Sequence, residues 1–361
     1  MKSRYLTRKT PHTIDKTLHT VLLSVSSIIL LLGVVGCAQD IDSDSMAIQS
    51  SNSSPSETSL GKADQVADLI HPLLEQFESD TCTFDLDDPY DPKTRFLQGP
   101  WEGECHDTHK KRSALILNQD EADLYQKSNG WLVLANVYHQ DGFWTAYVPK
   151  AALETVFFQL EYFPAIIPAG HTQLRLQYNE PIRLYGQSTH LLGEVDVTYD
   201  LTLSIEAVTQ VGDSYDLFKG AQEHFSIAYR VTTMQARFES MITQQNHHVE
   251  QWILDLTGEE KEDLLASYVQ TGMDFSFQVP YHTLFRNCTT EIIEELDRVV
   301  SYTWGEQAKK FIVKVSEIYP NIVRAALIAR GLLPFGKGND WYPLEEDEDF
   351  INQMLTTYPA R

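Results

Sequence analysis

Two runs, Trp131-Leu132-Val133-Leu134-Ala135-Asn136-Val137-Tyr138 and Phe143-Trp144-Thr145-Ala146-Tyr147-Val148, constrain the fold of this chain more than any other feature. Aromatic and β-branched residues suit a pleated, half-buried surface. Between the runs, Gln140-Asp141-Gly142 supplies an Asp-Gly pair that accepts the positive φ of a tight turn, so the two runs are expected to fold back as a hairpin. Further strand signals lie at 173–178, 182–185, 194–207 and 224–231. Such a succession argues for an antiparallel sheet rather than a wound parallel one.

The pattern turns helical after Thr257. Gly258-Glu259-Glu260-Lys261-Glu262 opens a run that places Leu264, Leu265, Tyr268 and Val269 on one face and ends near Gly272. A second helix is expected from Cys288, with Ile292, Ile293, Leu296 and Val299 or Val300 as its buried stripe. Two more are expected at 308–319 and 321–330, stopped by Pro320 and by Gly331-Leu332-Leu333-Pro334. The expected class is α+β: an antiparallel sheet packed against helices, preceded by an extension over 63–129. That extension holds a helix with Val66, Leu69, Ile70, Leu73, Leu74 and Phe77 on one side, then a turn-rich stretch from Cys82 to Cys105.

The N-terminus reads as an export signal over residues 1–36. Lys2, Arg4, Arg8, Lys9 and Lys16 precede the apolar stretch Leu18–Gly36, and Cys37 follows small residues as in a lipidated bacterial lipoprotein. An uncleaved membrane anchor is the alternative that this length allows. In either case the rest of the chain is expected in the cell envelope. Ala38 fits the pattern of lipoproteins passed to the outer membrane, facing the periplasm. Residues 37–62, rich in Ser, Asp, Asn and Thr, read as a tether to the bilayer through lipidated Cys37.

The chain carries 28 basic and 51 acidic side chains, a formal charge of −23. An excess of this sign disfavours nucleic acid and anionic lipid surfaces as partners. The acidic run Glu345-Glu346-Asp347-Glu348-Asp349, within a C-terminal tail at 336–361, is expected to be solvated rather than metal-binding.

Four cysteines bound the redox chemistry. With Cys37 lipidated, three remain and admit three single bridges, of which locality favours Cys82 with Cys105. Zinc held by Cys82, Cys105, His106 and His109 is the weaker alternative, because the paired C-x-x-C spacing is missing. No metal or other cofactor is expected. Cys288 is then the thiol left over, at a helix start where orphan N–H groups and the dipole favour a thiolate. Asn287 is a good N-cap, and Thr289 and Thr290 sit beside it, where backbone N–H groups can also hold an oxyanion. A small buried apolar residue is the plainer role for such a cysteine. The first candidate for a base is His171, at a Gly-led strand start, ahead of His224, His282 and the pair His247-His248, the last two expected in a loop. Glu206, within Leu203-Ser204-Ile205-Glu206-Ala207, is the candidate to orient the imidazole.

Several of these segments also carry a resemblance. Gly170-His171-Thr172-Gln173-Leu174-Arg175-Leu176, the Ser204-Ile205-Glu206 strand, the Lys219-Gly220 turn, Tyr229-Arg230-Val231 and, most specifically, Asn287-Cys288-Thr289-Thr290 resemble the Lnb N-terminal periplasmic domain family over about 130–335. The resemblance implies a permuted papain-like (NlpC/P60-like) frame. It also implies thiol chemistry of the acyl-transfer type, with Cys288 forming an acyl-thioester, His171 as base and an acyl-bearing lipid or lipoprotein as substrate. A papain-like amidase or peptidase acting on envelope peptides, and an inactive binding protein that kept the fold, are the other two readings.

Overall fold

The structure is a computed structural model that describes residues 82, 87–118, 130–163, 170–188, 191–307, 323–333 and 341–357. The export signal, the tether, Cys37, the helix expected around 66–77 and the one expected at 308–319 lie outside the described residues.

The expected hairpin is present as β2 (Trp131–His139) and β3 (Gly142–Pro149), which follow the short strand β1 (Leu115–Ile116). Gln140 and Asp141 both take the left-handed conformation at the turn. Next comes β4 (Leu153–Tyr162), which the sequence reading did not anticipate. The two short strands expected at 173–178 and 182–185 are one strand, β5 (Gly170–Gly186), bent where its register with β6 (Val195–Val208) shifts between Gln177 and Ile182. β7 (Phe225–Thr233), β8 (His248–Ile253), β9 (Pro280–Tyr281) and β10 (Tyr342–Pro343) complete the described sheet.

Its order is β1-β2-β7-β6-β5-β4-β8-β10, with β9 beside β7 and β3 bridging β2 and β5. Strands β2, β7, β6, β5 and β3 therefore close into a circuit of hydrogen-bonded neighbours. Every pairing among the named strands is antiparallel except the short one between β2 and β7. The α+β class and the mainly antiparallel sheet agree with expectation.

Helices α1 (Leu217–Ala221) and α2 (Met234–Phe238) are short, and a π-helical turn at Glu239–Gln244 continues α2. The long helix α3 (Gly258–Phe275) begins with a Thr257–Glu260 capping box and buries Leu264, Leu265, Tyr268 and Val269 as expected, running three residues past Gly272. Gly272 is required there, since a Cβ would come within 2.7 Å of the Tyr229 Cβ. Helix α4 (Cys288–Val299) buries Ile292, Ile293 and Leu296, each worth about 1.5–3 kcal/mol of apolar transfer. Two further described helices are α5 (Val323–Ala329) and α6 (Glu348–Thr357).

Alternation along β4, β5 and β6 separates two chemistries. Phe158, Leu160, Leu174, Leu176, Leu203 and Ile205 join one apolar core with residues of α3 and α4. The intervening residues, Gln159, Glu161, Gln173, Arg175, Ser204 and Glu206, are also buried, but on the opposite face and in a polar lattice. Arg175 lies at the centre of one part of it, donating to Asp200 and to Asp347, each at 2.6 Å. This corrects the reading of the acidic run as solvated at one position: Asp347 is buried, and Gln251 of β8 donates to it as well, whereas Glu346, Glu348 and Asp349 are exposed.

Candidate active site

Helix α4 starts as expected. The Asn287 side chain accepts from the N–H groups of Thr289 at 2.9 Å and Thr290 at 3.0 Å, while the Asn287 N–H donates to Thr290 Oγ1 at 2.9 Å. This capping box sets Cys288 at the positive end of a 12-residue helix. The cap has a chemical cost, because the two N–H groups expected to receive an oxyanion already donate to Asn287. Asn287 Nδ2 in turn donates to the Thr283 carbonyl at 2.7 Å, so the cap itself is anchored.

Cys288 is fully buried in the apolar core, with Thr289 Oγ1 3.9 Å from its sulfur. Counting predicted an unpaired thiol, and here the structure differs. Cys288 is held in a disulfide whose partner lies outside the described residues. The favoured pairing of Cys82 with Cys105 is present, at a Cα separation of 5.5 Å. It replaces the zinc alternative, since both sulfurs are consumed. His106 is wedged between Phe96 and Phe277 with its Nε2 2.7 Å from Ser226 Oγ. Burial lowers its pKa to about 4, so this imidazole stays neutral. Among the described residues no cluster of His, Cys, Asp and Glu is arranged to hold a metal.

His171 and Glu206 are brought together. Their antiparallel strands place Nε2 3.6 Å from Glu206 Oε1, with both residues buried. Burial alone would raise the Glu206 carboxyl. The charges of His171, Arg237, Arg230 and Lys111 outweigh it and bring the pKa down to about 2, so Glu206 is an anion at any physiological pH. Ser204 Oγ donates to the same carboxylate oxygen at 2.8 Å. A carboxylate so held is suited to fix the orientation of an imidazole.

The sulfur and the imidazole stand on opposite sides of β5. Thr172 Oγ1 donates to Thr289 Oγ1 at 3.2 Å, so Thr172 faces α4. Its neighbours His171 and Gln173 project to the other face. There Gln173 bonds to Gln159 and accepts from Arg237, each at 2.8 Å. Glu161, opposite His171 in the β4–β5 register, accepts from Arg237 at 2.9 Å and pairs with His247 at 2.5 Å. Arg237 and Glu161 were missed by the sequence reading. They come from α2 and from the unanticipated strand β4, and no local motif joins them to His171.

The other candidate histidines, apart from His247 on Glu161, are committed elsewhere. His282 Nδ1 accepts from the N–H groups of Leu284 and Phe285 within its own turn. His224 packs edge-on against Trp101. His247 and His248, expected in a loop, lead into and begin β8, and His248 pairs with Glu345.

The comparison with protein families decides the kinship: residues 140–318 match the model of the Lnb N-terminal periplasmic domain. Over these residues the chain is a domain of this family. The matched span runs from the β2–β3 turn past α4 and includes His171, Glu206 and Cys288. The family description points to the cell envelope. No curated protein and no solved structure matches the chain. Among the described residues no helix is long and apolar enough to cross a membrane.

Proposed function

We propose that this Lnb-type domain is an envelope thiol enzyme of the acyl-transfer type, anchored through a lipidated Cys37. The observation that carries the reading is the Asn287-capped start of α4, which puts Cys288 where a helix end stabilises a thiolate, on a helix tied to the His171 strand. Cys288 attacks the carbonyl carbon of an ester or amide, the leaving group departs with a proton, and a thioester remains. An amine then takes the acyl group, or water hydrolyses it. His171, oriented by Glu206, is the candidate base. Two conditions follow: Cys288 has to be a free thiol, which lipidation of Cys37 would ensure, since Cys37 is the one cysteine left to pair with it once Cys82 and Cys105 are bonded to each other; and the first residues of β5 have to shift for His171 to reach the sulfur.

A specific observation favours the second reading, a binding protein without catalysis. Cys288 is buried and disulfide-bonded, and the imidazole lies across the strand from it. Intact-mass detection of acyl adducts on the reduced full-length protein, offered activated acyl esters, separates the two. The enzyme reading expects an adduct that is lost in Cys288→Ser and in His171→Ala. An adduct that survives Cys288→Ser overturns it, as does a reduced Cys288 that no reagent labels in the folded protein. If only His171→Ala keeps the adduct, His171 is excluded as the base.

A further inference from the structure

Three neighbouring segments at the Cys288 end of the molecule, the loop at Leu97, helix α1 and the turn before α4, each expose one large apolar side chain: Leu97 is 65 % exposed, Phe218 73 % and Phe285 69 %. The segments are fastened to one another. A Cβ at Gly220 would sit 2.5 Å from Thr283 Oγ1, and that hydroxyl donates to the Leu217 carbonyl at 3.1 Å. Gly99 lies with its Cβ position 3.6 Å from the Glu223 carbonyl, while Trp101, from the same loop as Leu97, packs on His224 and Phe225. Phe218 and Phe285 are therefore presented by a rigid platform. Burying either against the protein would have been possible in a floppy loop; here the frame holds them outward at an energetic disadvantage in water.

The platform adjoins the candidate nucleophile, because Thr283 anchors the Asn287 cap directly before Cys288. Two cations flank it. Lys219 follows Phe218, lies over the Trp101 ring and pairs with Asp213; Arg286 follows Phe285 and lies 3.6 Å from Glu291. Long cationic stems beside exposed aromatic rings are suited to a membrane interface, where the ring enters the acyl boundary and the charge stays at headgroup level. The acidic excess of the chain weighs against an attraction to anionic lipid. The sequence supplies the occupant: the apolar stretch Leu18–Gly36 and Cys37, which the export-signal reading assigns to a bilayer, belong to this same chain.

We infer that Leu97, Phe218 and Phe285 form a bilayer-insertion surface that seats the Cys288 end of the domain on zwitterionic lipid. The inference rests on the acyl-transfer reading for its purpose, but its contact with lipid is separately measurable. Full-length protein is reconstituted into vesicles of phosphatidylethanolamine and phosphatidylcholine, with a photoreactive benzophenone amino acid at position 97, 218 or 285, and at 355 as a reference, Leu355 being exposed on α6. The expected result is lipid adducts at 97, 218 and 285 exceeding those at 355 by roughly fivefold or more, unchanged by salt. Equal yields at all four positions, no adducts, or adducts to a second copy of the chain overturn the surface. Acyl adducts on Cys288 in detergent report on the chemistry alone, so failure of the surface and failure of the thiol reading are distinguishable.

Discussion

Thr172 and Thr289 share a hydrogen bond of 3.2 Å that joins the first residues of β5 to the first turn of α4. Both hydroxyls are fully buried, so each one's loss strands the other. Thr172→Val and Thr289→Val are each expected to lower stability by about 1–3 kcal/mol, while the double variant costs less than the sum. Denaturant titration of the four members of this cycle checks it, and strict additivity would show that the bond carries no coupling.

The Glu206 carboxylate supports a pH prediction. Its folded pKa of about 2 lies below its ordinary value of 4.5, so its contribution is present above pH 4.5 and is lost as pH falls toward 2. The shift corresponds to on the order of 3 kcal/mol. Glu206→Gln leaves the charges of Arg230 and Arg237 less compensated and is expected to destabilise by about 3–5 kcal/mol at pH 7. It should also flatten the stability profile between pH 4.5 and 2. A profile unchanged in that window would remove Glu206 from the account of acid sensitivity.

Glu295, on the buried side of α4, has the opposite sign. Burial dominates and raises its pKa to about 7, although Arg298 lies 3.3 Å away and Thr271 donates to it. Because the folded state binds its proton more tightly, stability is greatest below pH 4.5 and declines as pH rises through 7. Glu295→Gln is expected to raise the melting temperature at pH 8 and to change little at pH 4, where the native carboxyl is already neutral. Thermal melts at the two pH values decide; a loss of stability at pH 8 would contradict the burial argument.

Arg175 is the anchor for the segment around Asp347. Removing the Asp347 charge leaves a buried guanidinium paired only with Asp200, at an expected cost of about 3–5 kcal/mol. Arg175 also lies over the Phe350 ring at 4.5 Å, so the loss should be felt along α6. Limited proteolysis of Asp347→Asn is expected to cut within 341–357 well before the wild type. Equal cutting would mean that β10 and apolar packing hold the segment alone.

Local chemistry made some of this fold legible and left other parts silent. The Asp-Gly hairpin and the stripes of α3 and α4 announced themselves because turn chemistry and helical period act over a few residues. β4 did not. Val156, Phe157, Phe158, Gln159, Leu160 and Glu161 are buried on both faces, which erases alternation, and Ala151-Ala152-Leu153-Glu154 carries no strand signal. β8 was hidden by the polar His247-His248 pair, whose carboxylate partners Glu161 and Glu345 are far away in the chain. At the candidate site, His171 and Glu206 were each recognisable, and the register brings them together. What the residues alone did not disclose is the side of β5 on which each stands. That depends on the partner of Thr172, a long-range contact, and on alternation counted from it.

The first residues of β5 are stapled on both sides, to α4 through Thr172 and to the polar lattice through Gln173. The strand thus behaves as a partition wall between a sulfur compartment and an imidazole compartment. On the acyl-transfer reading, a proton passing between Cys288 and His171 would have to go around the start of β5 rather than through it, and a shift of those first residues would separate a resting from a working protein.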